Sequence, residues 1–287
     1  MGEKDITEKM LEDYNDVFSD IVNGLLFNGK EVISPDSLVD TGSRSQYKAD
    51  DRKVHELERD VIKYWKNHES RIALIGLENQ TNSDCVMPAR VLGYDGASYK
   101  NQIASKERKL LPAITLVLYY GKDHWKSPKN LKEILDIPGE IEPFINDYKI
   151  HVFEISWLSD EQIRSFKSDF RIVANFFVNR RKDPDYILRD KTEIKHLDSI
   201  LKLFSALTGD SKYENILTDP DIGEVKTMCE VADRIWNKGV AEGETIMVYK
   251  LVQNGKLSVE NASDELKLNS SDFIQKMLEA GYKLPES

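Results

Sequence analysis

Apolar residues at Met10, Tyr14, Val17, Phe18, Ile21, Leu25 and Leu26 recur near helical spacing, so residues 5–27 read as an amphipathic helix. Asn28-Gly29 is its stop signal. A loop with Pro35, Asp36, Gly42 and Ser43 follows, and then the period changes. Residues 59–65 (RDVIKYW) are β-prone, 67–70 form a polar turn, and 71–78 (RIALIGLE) are a second apolar run; together they predict a β-hairpin. Pro88 suits the first turn of a helix reaching about residue 103. Residues 111–120 (LPAITLVLYY), ended by Gly121, and 148–156 (YKIHVFEIS) read as strands, and Ser159 with Asp160 caps a helix expected over 161–178. The order helix, hairpin, helix, strand, strand, helix interleaves both element types around one sheet, an α/β arrangement.

Past residue 180 the strand signals stop. Residues 191–207 and 222–254 are helical in pattern, the second weakened by Gly239 and Gly243. Residues 256–282 read as two short helices capped by Ser258 and by Ser270 or Ser271. The chain therefore divides into an α/β domain over residues 1–180 and an all-helical C-terminal region over 181–287.

The hairpin holds the candidate chemistry. With the turn centre taken near residue 69, opposing positions sum to about 138, and Asp60 faces Glu78 across the strands. Side chains alternate along a strand, so Gln80 shares the face of Glu78. Two facing carboxylates repel unless a cation lies beside them. Hard oxygen donors of this kind suit magnesium or manganese, with water and a substrate phosphate completing the shell. The competing reading is a solvated hairpin end whose acids pair with Arg59, Lys63 or Arg71.

Charge sharpens the contrast between segments. The net charge of −10 argues against a polyanionic partner, but residues 44–132 carry 17 basic and 11 acidic side chains while the segments before and after are acidic. Local potential governs polyanion binding more than the total does, and the basic third is the one that holds the hairpin. Other chemistries are not encoded. The five histidines show no ligand spacing, and no glycine-rich phosphate loop or nucleophile elbow occurs. Cys85 and Cys229 are too far apart in sequence to suggest a zinc site or a disulfide framework. No run approaches the roughly 18 apolar residues of a membrane span, and the charged first residues are unlike a secretory leader, so a cytoplasmic protein is expected. The last 32 residues carry more acid than base, which suits packing or homo-oligomer contacts through the C-terminal helices better than DNA.

Taken together, RDVIKYW (59–65), GLENQT (76–81), MPARVLGYDGASY (87–99) and LLPAITLVLYYGKDHW (110–125) resemble the Rpn family of recombination-promoting nucleases. The resemblance covers about residues 15–158. It implies a PD-(D/E)XK restriction-endonuclease-like core, a central mixed sheet flanked by helices, and magnesium- or manganese-dependent DNA endonuclease activity in recombination or in defence against foreign DNA. It also implies Asp60, Glu78 and Gln80 as the catalytic set, with Asp60 and Glu78 as metal ligands. Gln80 takes the place of the usual catalytic lysine; it can orient a water but cannot carry charge. Arg90 and Tyr94, four apart on one helical face, would hold a substrate phosphate. Arg90 could instead pair with Asp84 or Glu78, and Tyr94 could be a core aromatic. Asn15 stands about where relatives carry an acid, leaving Asp16 or Asp20 as the first helix's candidates. A catalytically silent DNA-binding or assembly protein of the same fold is the alternative function.

Overall fold

The computed structural model describes residues 10–41, 46–48, 54–56, 60–67, 70–105 and 109–285. A 3-10 turn at Leu11–Asp13 precedes helix α1 (Asn15–Leu26). The helix expected from residue 5 therefore begins only at Asn15, because Tyr14 is extended; residues 5–9 lie outside the described ones. Its end is as expected: Asn28 and Gly29 take φ of 52° and 79°, the left-handed conformation that stops a helix. The following loop holds a short strand that its polar pattern hid, β1 (Leu38–Asp40). Strands β2 (Gln46–Lys48) and β3 (Val54–Glu56) pair only with each other. The hairpin is β4 (Val61–Asn67) and β5 (Ser70–Gln80), with turn residues 68–69 outside the described ones. Helix α2 (Met87–Ala104) then crosses to β6 (Ala113–Tyr119), and β7 (His151–Glu154) follows.

These strands make one five-stranded mixed sheet in the order β1-β4-β5-β6-β7, antiparallel up to β5 and parallel from β5 to β7. The hairpin register is the detail that positions the site. Next to the turn Asn67 opposes Ser70 and Lys66 opposes Arg71, so positions sum to 137. From Trp65↔Ala73 to Val61↔Leu77 they sum to 138, because Ile72 is an extra residue on β5. A one-residue slip flips every side chain to the other face. The bulge thus puts Glu78, rather than Leu77, opposite Asp60 when the register is carried one residue past Val61.

The single helix expected over 161–178 is two helices, α3 (Asp160–Ser165) and α4 (Phe170–Lys182). Ser159 caps the first as anticipated. The break between them is held by Asp20 of α1, whose Oδ2 accepts from the backbone of Lys167 (2.8 Å) and Ser168 (2.7 Å) and from the Ser168 hydroxyl (2.7 Å). Charged acceptors on free amides are strong competitors for helix hydrogen bonds. Beyond β7 the described residues hold helices and no strand: α5 (Leu197–Thr208), α6 (Lys212–Leu217), α7 (Met228–Gln253), α8 (Val259–Glu265) and α9 (Ser270–Glu279). Ser258 caps α8, but Asn269 caps α9 in place of Ser270 or Ser271. A capping residue must precede the helix with extended backbone, and Asn269 does so at φ −78° and ψ 156°.

Helices cover both faces of the sheet. On one face Val17, Phe18 and Ile21 of α1, the Phe176/Phe177 pair of α4 and Phe204 of α5 bury Leu77, Leu116 and Leu118, and the same core runs on to Met228 and Val231 at the start of α7. On the other, Met87, Val91 and Tyr94 of α2 pack on Val117, Tyr119, Trp125 and Ile150. The end of α7 forms a separate small core with α8 and α9 around Val252, Phe273 and Met277. Gly121 is required where β6 leaves the sheet, since a Cβ there would stand 2.0 Å from the Tyr119 hydroxyl. The result is a mixed α/β fold with a helical C-terminal part. Among the described residues no helix is long and apolar enough to cross a membrane.

Candidate active site

The site lies where β4 begins and β5 ends. Glu78 and Gln80 point to the α2 face of β5, and the Gln80 amide donates to Glu78 Oε1 at 3.1 Å. Helix α2 opens with Met87-Pro88, Pro taking a first-turn position whose missing N–H costs nothing, and it carries Arg90 and Tyr94 over the same carboxylate. Arg90 Nη2 donates to Glu78 Oε1 at 2.6 Å and to the Tyr94 hydroxyl at 3.0 Å, and Nη1 donates to Asp84 Oδ2 at 3.0 Å. The Tyr94 hydroxyl in turn donates to Glu78 Oε1 at 3.3 Å. The contacts are those of the structural alternatives, an ion pair for Arg90 and a core position for Tyr94. Tyr94 is a buried aromatic, yet its polar end reaches the site; Arg90 pairs with Asp84 and with Glu78.

Asp60 sits at the exposed rim, and its Oδ2 accepts from the Asn79 backbone amide at 2.6 Å. The bond ties the start of β4 to the end of β5. Burial of the carboxyl raises its pKa above the ordinary range, against the pull of the Asn79 amide and the Arg90 charge. Glu78 is more perturbed. Burial, followed by the charge of Asp60, pushes it up to about 7, although Arg90, Tyr94 and Gln80 all favour its ionised form. Burial also opposes the Arg90 charge, but Tyr94, Asp84 and Glu78 outweigh it and keep the guanidinium protonated.

Glu78 Oε2 is buried and has no hydrogen-bond partner among the described residues, which is costly for a carboxylate oxygen unless a donor or cation meets it. Asp60 and Glu78 offer the hard oxygen chemistry of a magnesium or manganese site. Among the described residues no group of three or more His, Cys, Asp and Glu side chains is placed to hold a metal. Two protein carboxylates with water and phosphate are a normal complement for magnesium, so the residues fit the ion in that form.

One acid at this end of the sheet was not anticipated. Glu12, in the 3-10 turn before α1, is fully buried on the opposite face of β5. Its Oε1 accepts from the Asn79 side chain at 3.2 Å. Its Oε2, Asn79 Oδ1 and the Tyr120 hydroxyl are all buried without hydrogen-bond partners among the described residues. Burial, with smaller contributions from the charges of Asp60 and Asp13, raises Glu12 to about 7. Asp60 thus acts on acids on both faces of β5. Asp16 and Asp20 are elsewhere: Asp16 meets His196 and Lys195, and Asp20 holds the α3–α4 break. The available signal was the acidic pair Glu12-Asp13 just ahead of α1, which a continuous helix from residue 5 obscured.

The chain is a mixed α/β protein with two carboxylates, a carboxamide and an arginine gathered at one end of its sheet. Residues 61–203 match the family described as Putative transposase, YhgA-like, and over this segment, about half of the chain, the protein belongs to that family. Comparison with curated proteins and with solved structures gave no significant match.

Proposed function

We propose that this protein is a divalent-metal-dependent DNA endonuclease with a PD-(D/E)XK-type core, hydrolysing phosphodiesters with little sequence preference during DNA rearrangement or defence against foreign DNA. The observation that carries the reading is the buried Glu78 carboxylate with one unpartnered oxygen, set across the hairpin from Asp60 in a transposase-like chain. A stable fold gains nothing from a desolvated acid beside a second acid, whereas a phosphodiesterase site does.

Asp60 and Glu78 would hold magnesium or manganese, which when bound supplies Lewis acidity and an acidified water. The Asn79 amide keeps Asp60 aimed at the end of β5. Gln80 orients the attacking water, and Arg90, braced by Asp84 and Tyr94, meets the phosphate charge. The nuclease unit is taken as residues 1–180, with 181–287 as a helical appendage, acting in the cytoplasm. Incubating supercoiled plasmid with the purified chain and magnesium tests this beside an Asp60→Ala variant of equal stability. Nicking lost on chelation and on substitution is expected; intact plasmid with wild-type protein sinks the proposal.

A second reading, a catalytically silent DNA-binding or assembly protein, is favoured by one contact. Arg90 at 2.6 Å already gives Glu78 a cation, and position 80 holds no lysine. Retention of plasmid without nicking, unchanged by Asp60→Ala, is its signature.

A further inference from the structure

We propose that His124 is a stacking platform for a base of the DNA strand leaving the candidate active site, with Lys122 and Lys126 beside it for the phosphates; this rests on the nuclease reading above. Strands β5, β6 and β7 are parallel, so their C-terminal ends share one edge of the sheet. Register places Gln80, Tyr119 and Glu154 in a single row, Gln80 opposite Tyr119 and Tyr119 opposite Glu154. Directly paired residues of parallel strands point to the same face, so Glu154 lies on the face of Glu78 and Gln80. Two strand spacings put it roughly 10 Å from Gln80. That is the reach of a few nucleotides at about 3.4 Å each.

Around Glu154 a ring is held out in a fixed pose. Its Oε2 is 2.6 Å from His124 Nδ1, and its Oε1 accepts from the Trp125 amide at 3.0 Å. The imidazole stacks on Trp157 with ring centroids 3.6 Å apart and planes 25° from parallel. The Arg181 guanidinium lies 3.7 Å from the Trp157 ring, so the two groups take opposite faces of the indole. Arg181 is itself fixed by donating Nε to the Ser156 carbonyl at 2.9 Å. The His124 side chain is nevertheless 60% exposed, which leaves its outer face open to solvent.

A base can therefore extend the Arg181–Trp157–His124 stack by one layer. Aromatic faces bind bases with little sequence preference because every base has a π-face. Lys122 and Lys126 are both exposed on the same loop, with Asp123 between them as the one opposing charge. Lysines that flank an aromatic surface are the usual means of tracking a nucleic-acid backbone. The half-buried Trp157 and Arg181 beneath the ring are more support than a lone surface histidine paired with an acid needs.

The test is fluorescence anisotropy with fluorescein-labelled single-stranded oligodeoxythymidylate and its abasic counterpart, in calcium, using the full chain. Wild type, His124→Ala and His124→Phe are compared, with matched thermal unfolding as the folding control. His124→Ala is expected to bind the thymidylate about tenfold more weakly, His124→Phe to restore binding, and the difference to vanish on abasic DNA. Equal affinity of His124→Ala and wild type, or an equal loss on abasic DNA, overturns the platform. Plasmid nicking separates the two readings. Intact nicking without a stacking effect removes the platform alone, and a stacking effect in a protein that never nicks supports the platform while removing the nuclease.

Discussion

Glu12→Gln should make the protein more stable at alkaline pH and leave it nearly unchanged at mildly acidic pH. Glu12 is fully buried, its side-chain partner among the described residues is the Asn79 amide, and burial raises it from the ordinary 4.5 to about 7. The folded chain therefore holds this proton to about neutrality, whereas the unfolded chain releases it near 4.5. Where the folded state binds more protons, stability falls as pH rises, so the cost accumulates between these two values and is constant above them. A shift of about 2.5 units corresponds to about 3 kcal/mol. Glutamine keeps the shape and an acceptor for Asn79 but has no proton to lose, so the variant escapes that cost.

Urea unfolding in chelator at several values from about pH 5 to about pH 8 measures the effect directly. The variant should gain up to about 3 kcal/mol over wild type by about pH 8 and converge with it near the acidic limit. Part of the wild-type slope will persist in the variant, because Glu78 also titrates at about 7. Parallel curves for the two proteins across the whole range refute the reasoning: they would mean that Glu12 is ionised in the folded chain and compensated by a group other than Asn79.

Arg90→Ala leaves the Glu78 carboxylate without its neighbouring cation, and a loss of about 2–3 kcal/mol at neutral pH is expected in chemical denaturation, below the cost of a fully buried pair because Arg90 is partly exposed. Asp20→Ala removes three hydrogen bonds that hold the α3–α4 break and should cost about 2 kcal/mol, read by the same method. Gly121→Ala forces a methyl onto the Tyr119 hydroxyl and should cost about 1–3 kcal/mol, with a change in tryptophan fluorescence because Tyr119 packs edge-on against Trp125 at 5.2 Å.

How far the site was legible from sequence turns on Ile72. Periodicity alone separates α1, the hairpin, α2, β6 and β7, because each buries a face or a run that only one period explains. The pairing of Asp60 with Glu78 needs more. A register read strictly from the turn, with Asn67 opposite Ser70, carries Asp60 to Leu77 and sends the two acids to different faces. Only the extra residue at Ile72 restores the pairing, and a bulge leaves no compositional mark in a run such as RIALIGLE. The sum of 138 expected from a turn centred near residue 69 therefore matches the register only on the far side of this extra residue, from Trp65 to Val61.

Glu12 was hidden for a different reason: it is placed by a contact between distant segments. Asn79 brings Glu12 to β5 across 67 residues, and the acidic pair Glu12-Asp13 does not by itself say which of its members that contact buries. The same holds for the helix break after α3, where the residue that ends the helix belongs to α1. These two long-range polar contacts share a physical character. Each satisfies backbone or amide groups that would otherwise be buried unpaired, so each is enforced by the packing around it rather than by the preference of its own segment. Asn79 thus links the two faces of the site: its backbone amide holds Asp60 and its side chain holds Glu12, so a substitution there keeps the first contact and removes the second.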